Sequence, residues 1–164
     1  MNYVYDTFAT PHGPFSVALD QSDAVVAACF GPFAHLKKRT PPGPLVRDAR
    51  RTAAVRREVA EYFAGKRRAF TVKIAAPGTA FQQGAWSALR AIPYGETRSY
   101  GQLAAQLGNP RASRAIGRAN ATNPVCLLMP CHRVIGTDGS LTGFAYGEEL
   151  KRKLLKHEGA LART

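Results

Sequence analysis

The segment "SYGQLAAQLGNPRASRAIGRAN", residues 99–120, decides the fold of the second half of the chain. Ser99 can cap a short helix running from Tyr100 to Leu107, its side-chain oxygen accepting from a free backbone N–H of the first turn. "GNP" stops that helix, since glycine and proline both oppose its continuation. A second helix is expected from Arg111 to Asn120, ending before "TNP". Two short helices joined by a glycine-containing turn form a helix-turn-helix candidate. On the second of them Arg111, Arg114 and Arg118 fall at i, i+3 and i+7 and share a face, while Ala112, Ala115, Ile116 and Ala119 can pack inward. Ser113 and Gly117 are small, so the helix backbone could approach a groove closely. An arginine stripe alone is often no more than a solvated face. What lies downstream gives this one a context.

Downstream stands "NPVCLLMPCHRVIG", residues 123–136. Pro130 fixes its own φ and lacks an N–H, so a regular ladder is interrupted just before Cys131. A kink at the end of an apolar run can present a thiol in a cleft. The nucleophilic form is the thiolate, and a neighbouring basic group or helix N-terminus lowers a thiol pKa from about 8.5. In a strand His132 would point to the opposite face; only a turn or the first residues of a helix bring it to the sulfur, directly or through a water. A histidine base also needs an orienting carboxylate, and Glu96, Asp138, Glu148, Glu149 and Glu158 are the candidates. Cys29 and Cys126 read as small core hydrophobes. Zinc held by Cys126, Cys131 and His132 is disfavoured, because that spacing lacks a second ligand pair.

Upstream, Thr79 and Gln82 fit a capping box, and Phe81, Ala85, Leu89 and Ile92 follow at helical spacing. The first half reads differently. "FSVALD" alternates, "QSD" turns and "AVVAACF" gives a second strand, together a hairpin. "KKRTPPGP" reads as a loop without helix or strand. Arg47 to Ala64 is expected to be helical, with Val55, Val59, Tyr62 and Phe63 on one face and Gly65 placed to end it. "AFTVKIA" is a further strand candidate, and "APGT" punctuates the chain. The expected fold class is therefore α+β. A domain of residues 1–75 holds a small antiparallel sheet with a helix, and a mostly helical domain of residues 76–164 holds the helix-turn-helix and the cysteine.

With 164 residues, 45% of them hydrophobic, the chain can bury a real core. Its 23 Lys and Arg against 11 Asp and Glu give a net charge of +12, which favours polyanionic partners. From Ala80 to Val134 the basic residues are Arg90, Arg98, Arg111, Arg114, Arg118 and Arg133, facing one acid, Glu96. All are arginine, the side chain suited to forked phosphate contacts and to stacking on bases. No run approaches the roughly 18 apolar residues of a membrane span, and no secretory signal is visible at the N-terminus. An odd cysteine count of 3 without an export signal favours free thiols in a reducing, cytoplasmic setting.

"PCHRVIG", "IPYGETRSYGQLA", "GNPRASRAIGRANATNP" and "LTGF", in this order and with ungapped spacing over residues 79–159, resemble the O6-alkylguanine-DNA alkyltransferases. The N-terminal half is similar only in outline. That family flips an alkylated guanine out of the duplex, because the target atom faces the stacked interior, and moves its alkyl group to a cysteine as a stable thioether. The resemblance implies Cys131 as the acceptor, His132 as a base acting through water, and Glu158 as the carboxylate orienting it. Asn123 would brace the active-site turn. Tyr100 would crowd the target phosphate and protonate the leaving guanine. Arg114 would fill the space left by the base, on a helix inserted into the minor groove, with Arg111, Ser113, Arg118 and Arg133 as further DNA contacts. Each molecule would act once, as a monomer on double-stranded DNA carrying O6-alkylguanine or O4-alkylthymine, with no cofactor, no metal and no membrane partner. Tyr146, where many members have glycine, would narrow the pocket rim. Phe144, in place of a common tyrosine, would lose a hydroxyl that could bond to the base. A non-catalytic lesion-binding relative would lack the acceptor cysteine, and a cysteine hydrolase would leave the arginine helix unexplained.

Overall fold

Short apolar runs punctuated by tight turns build a sheet at the start of the chain: β1 (Tyr3–Thr10), β2 (Gly13–Leu19) and β3 (Val25–Phe30). The structure is a computed structural model and describes residues 1–161. β1 and β2 form an antiparallel hairpin in register from Val4↔Leu19 to Thr10↔Gly13, with Gly13 at φ +97°. β2 pairs antiparallel with β3. The expected alternation of "FSVAL" does not become a half-exposed strand. Phe15 to Leu19 and all of β3 are buried on both faces, because α1 (Phe33–Arg39) packs on β2 and β3 while α2 (Ala53–Phe63) packs on β1.

Three departures from expectation have local causes. First, the sheet order is β3-β2-β1-β4, and β4 (Leu45–Arg47) runs parallel to β1, so the sheet is antiparallel only in its first three strands. Second, "KKRTPPGP" is not wholly loop, since α1 continues through Arg39. Leu36 is buried, and Lys37, Lys38 and Arg39 sit in the last turn, where cations suit the helix dipole. The helix stops at Thr40, whose hydroxyl donates to the Leu36 carbonyl at 2.8 Å, immediately before Pro41. Third, α2 begins at Ala53 rather than Arg47, because the Asp48 carboxylate accepts from the backbone N–H groups of Arg50 and Arg51 and makes a turn there. Val55, Val59 and Tyr62 are buried on α2, and Gly65 at φ +75° follows its end, as expected. "AFTVKIA" is extended but makes one bridge, Ile74↔Val25, and is pinned by the Glu58 carboxylate, which accepts from Thr71 N and Oγ1.

Two compact units result: Met1–Pro77 together with Pro124–Leu128, and Gly78–Asn123 together with Met129 onward. The short return of the chain to the first unit is made by Ala28 N donating to Pro124 O and Cys126 N donating to Ala28 O, at 2.8 and 3.0 Å. Of the span 76–164 read as the second domain, residues 162–164 lie outside the described residues.

The second unit is α3 (Ala80–Arg90), α4 (Tyr100–Gln106), α5 (Ser113–Ala121) and α6 (Glu148–His157), with a parallel pair of short strands, β5 (Arg98–Ser99) and β6 (Val134–Ile135). Thr79 and Gln82 form the expected capping box, and Ser99 caps α4 in a second box with Gln102. The buried face of α3 is Ala85, Trp86, Ala88 and Leu89, and Trp86 Nε1 donates to the Ala119 carbonyl of α5 at 2.9 Å. Phe81 lies off that face and is exposed. α6 carries Glu148 and Glu149 in its first turn and Lys156 and His157 in its last, both favourable to the dipole.

Candidate active site

Cys131 opens a single turn of 3-10 helix, Cys131–Arg133. Pro130 precedes it, and the backbone closes through Cys131 N to Met129 O and Arg133 N to Pro130 O, at 2.8 and 3.0 Å. Asn123 holds the approach to this turn, its Nδ2 donating to Met129 O at 2.8 Å. The kink expected from Pro130 is thus a turn, the geometry that lets consecutive Cys131 and His132 serve one site. Cys131 is only 4% exposed.

Beneath the turn lies a buried ionic cluster. His132 Nε2 donates to Glu158 Oε2 at 2.8 Å, and both side chains are fully buried. That bond places the imidazole proton on Nε2 and leaves the lone pair on Nδ1, which is buried and has no hydrogen-bond partner among the described residues. Burial pushes the His132 pKa down more strongly than Glu158 pulls it up, so the ring is neutral at pH 7. Burial would raise the Glu158 carboxyl; the bond from His132 and the Arg133 guanidinium outweigh it and hold the group well below the ordinary carboxylate range. Of the five candidate carboxylates Glu158 is the buried one; Glu96, Asp138, Glu148 and Glu149 are exposed.

Arg133 does not join the DNA-contacting set. Its Nε and Nη2 fork onto Glu158 at 2.8 and 3.0 Å, Nη1 donates to Ile92 O at 2.8 Å, and the residue is 6% exposed. Three of its five N–H donors are committed in this way, and its burial turns the guanidinium away from phosphate. The residue acts as the counter-charge of the site from inside.

The cleft side is formed by α4 and α5. Tyr100, Ser113, Arg114, Gly117, Arg118 and Gly143 line a groove of about 610 Å³. The Tyr100 hydroxyl donates to the Thr142 carbonyl at 3.3 Å. It sits so close to Gly143, at φ +86°, that a β-carbon there would come within 2.5 Å of it. Burial pushes the Tyr100 pKa up, the Asn120 side chain opposes this, and Cys131 adds to it, so the phenol stays protonated at neutral pH. Gly117 faces the Tyr100 ring, with room for only an ordinary contact. Arg114 and Arg118 are exposed on α5, one turn apart. Arg111 is exposed too, but α5 starts at Ser113, so Arg111 stands in the connection before the helix and the expected three-arginine stripe shortens to two. Phe144 is buried and meets the ring of Tyr146 edge-on at 5.4 Å.

Two buried groups escaped the sequence reading. Lys151 is fully buried, with Nζ donating to the carbonyls of Val134 and Thr142, and burial pulls its pKa down to about 8. Asn120 is buried on α5, its Nδ2 donating to the Cys131 carbonyl at 3.3 Å. Both leave a signal in retrospect: each is a polar residue on the apolar stripe of its helix, Lys151 at i−3 from Leu154 and Asn120 at i+4 from Ile116. Cys29 and Cys126 are buried in the first unit, and burial raises the Cys29 thiol to about 11. Among the described residues no three His, Cys, Asp or Glu side chains are grouped to hold a metal ion, and no helix is long and apolar enough to cross a membrane.

Residues 80–160 match the family profile of the 6-O-methylguanine DNA methyltransferase DNA-binding domain. A methylated-DNA–protein-cysteine methyltransferase of Methanosarcina acetivorans is 44% identical over 157 residues, covering 95% of this chain and 98% of that protein. The protein of the same name from Salmonella typhimurium is 54% identical over 105 residues, 63% of this chain and 61% of its own. Among solved structures, that of Mycobacterium tuberculosis OGT in complex with DNA superposes with a TM-score of 0.85 at 38% identity, covering 98% of this chain and 94% of that one. The chain belongs to the methylated-DNA–protein-cysteine methyltransferase family.

Proposed function

We propose that this protein repairs DNA by moving the alkyl group of O6-alkylguanine, and of O4-alkylthymine, irreversibly to Cys131. The observation that carries the reading is the buried His132–Glu158 pair in the same turn as Cys131, within the unit whose α4–α5 groove is lined by Tyr100 and Arg114. His132 Nδ1 takes the thiol proton through a water, and Glu158, fixed by Arg133, keeps the imidazole in the required tautomer. The Cys131 sulfur forms a bond to the alkyl carbon as the carbon–O6 bond breaks, and the electron pair leaves with the guanine. Tyr100 gives that guanine a proton and recovers one from the pool held by His132. The thioether is not reopened, so each molecule reacts once, with neither metal nor cofactor.

The α4–α5 pair acts as a helix-turn-helix whose second helix enters the minor groove, where Ser113 and Gly117 allow close approach. A base must leave the stack to reach the thiol, at a cost of a few kcal/mol. Arg114 offsets part of this by occupying the vacated space, and Arg111 and Arg118 contact phosphates. Asn123 keeps the turn in place. The protein acts as a monomer in the cytoplasm, and Tyr146 beside Phe144 favours small alkyl groups.

Arg114→Ala separates extrusion from chemistry. Repair of an O6-methylguanine duplex should slow by about 10²-fold, while reaction with the free alkylated base changes by less than about threefold. Single-turnover rates on the two substrates check this. Equal losses on both would remove Arg114 from the base-displacing role.

A further inference from the structure

The turn "IPYGE", residues 92–96, does not line the α4–α5 groove and takes no part in the transfer described above. It is nevertheless seated against the charge cluster beneath Cys131. The Ile92 carbonyl accepts from Arg133 Nη1 at 2.8 Å. The turn closes through Glu96 N to Pro93 O at 3.1 Å. Gly95, at φ +84°, comes so close to the end of α6 that a β-carbon there would lie 3.2 Å from Glu158 O. From this position half-buried Tyr94 reaches in two directions. The Arg133 guanidinium carbon stands over its ring, 5.8 Å from the centroid. Its hydroxyl donates to the His157 carbonyl at 3.3 Å, one of the carbonyls that the last turn of a helix leaves without intrahelical partners. One side chain thus touches both halves of the Arg133–Glu158 pair: the ring meets the cation, and the hydroxyl holds the backbone next to the anion.

The bonds from Arg133 to Glu158 and Ile92 follow N–H directions in the guanidinium plane, so they leave the group free to rock out of that plane. A ring packed on the group limits the motion and adds the attraction of its face for a cation. Glu158 Oε2 accepts from both Arg133 and His132. Any rocking of Arg133 is therefore passed to the imidazole.

We propose that Tyr94 is a positioning residue for alkyl transfer: its ring steadies Arg133, its hydroxyl fixes the end of α6, and together they hold Glu158 where it orients His132. The inference rests on the proposed function, in which His132 takes the thiol proton. Tyr94 is no part of the groove, so its loss acts on the rate constant and not on duplex affinity. The ring carries the larger share, because it bears on the guanidinium that grips Glu158 directly, whereas the hydroxyl acts through the backbone.

The test compares parent, Tyr94→Leu and Tyr94→Phe on the full chain with an O6-methylguanine duplex. Tyr94→Leu removes ring and hydroxyl. It should lower the single-turnover rate constant about 10-fold, a fraction of what a positioned general base contributes, and leave duplex affinity within about twofold. Tyr94→Phe returns the ring alone and should bring the rate constant to within about threefold of parent. In the protein without DNA, NMR should show the Arg133 Nε–H, bonded to Glu158, exchanging with water at least about fivefold faster in Tyr94→Leu than in parent. A folded Tyr94→Leu that reacts within about threefold of parent overturns the proposal. So does a Tyr94→Phe as slow as Tyr94→Leu, or an Arg133 proton whose exchange is unchanged. If thermal melting shows Tyr94→Leu unfolded, Tyr94→Met, flexible and apolar, takes its place under the same criteria. A parent protein that moves no methyl group defeats the proposed function and this inference with it, whereas a reactive parent with an unslowed Tyr94→Leu defeats the inference alone.

Discussion

Cys131→Ser is expected to abolish alkyl transfer, with a loss of at least about 10³-fold, while the protein still binds lesion-bearing duplex. A serine hydroxyl ionises far above a thiol, and a neutral imidazole such as His132 is too weak a base to make an alkoxide of it. Sulfur to oxygen is a small change in a turn held by Asn123 and by the backbone bonds to Met129 and Pro130, so the fold should persist. In the proposed function the duplex binds on the α4–α5 side, so binding should be unaffected. Single-turnover methyl loss and duplex titration, run on the same preparation, check both parts. Transfer at near-parental rate would put the acceptor elsewhere.

Glu158→Gln should have the next largest effect, on both stability and rate. Arg133 is 6% exposed and forks onto this carboxylate; without it a guanidinium is left buried and uncompensated. Breaking such a pair costs about 3–5 kcal/mol, and loss of the group orienting His132 should slow transfer by about 10²-fold. The pH dependence has a definite sign. A carboxyl held below its unfolded value of about 4.3 stabilises the fold fully above that pH, and the contribution is lost as pH falls from there toward the folded value. The stability gap between parent and Glu158→Gln should therefore be widest at neutral pH and shrink through the acid range. Urea unfolding at pH 7 and near pH 3 measures it, and a gap that grows with acid would contradict the assignment.

Local chemistry made much of this legible in the sequence. Capping residues act over three positions, so Thr79, Gln82 and Ser99 announce their helices directly, and Pro130 announces the turn that presents Cys131. What was not legible depends on distant partners. Asp6 is buried in β1 and breaks its apolar pattern, yet it is satisfied by Arg47 and Arg56, 41 and 50 positions away. Arg133 follows the reactive pair in a basic chain and looks like a phosphate contact; the fold turns it inward onto Glu158, 25 positions downstream. The run before Pro130 reads as one apolar segment leading to the site, but Pro124–Leu128 belongs with the first unit and hydrogen-bonds to Ala28. Asn120 and Lys151 look like helix-surface residues until the helices are docked.

The most direct test of the account is intact-mass spectrometry with peptide mapping after incubation with duplex DNA containing O6-methylguanine. The predicted result is a gain of one methyl group on Cys131, saturating at one per protein molecule however much duplex is supplied. Tight binding of the lesion with no change in mass would contradict it and make the protein a lesion sensor that performs no chemistry.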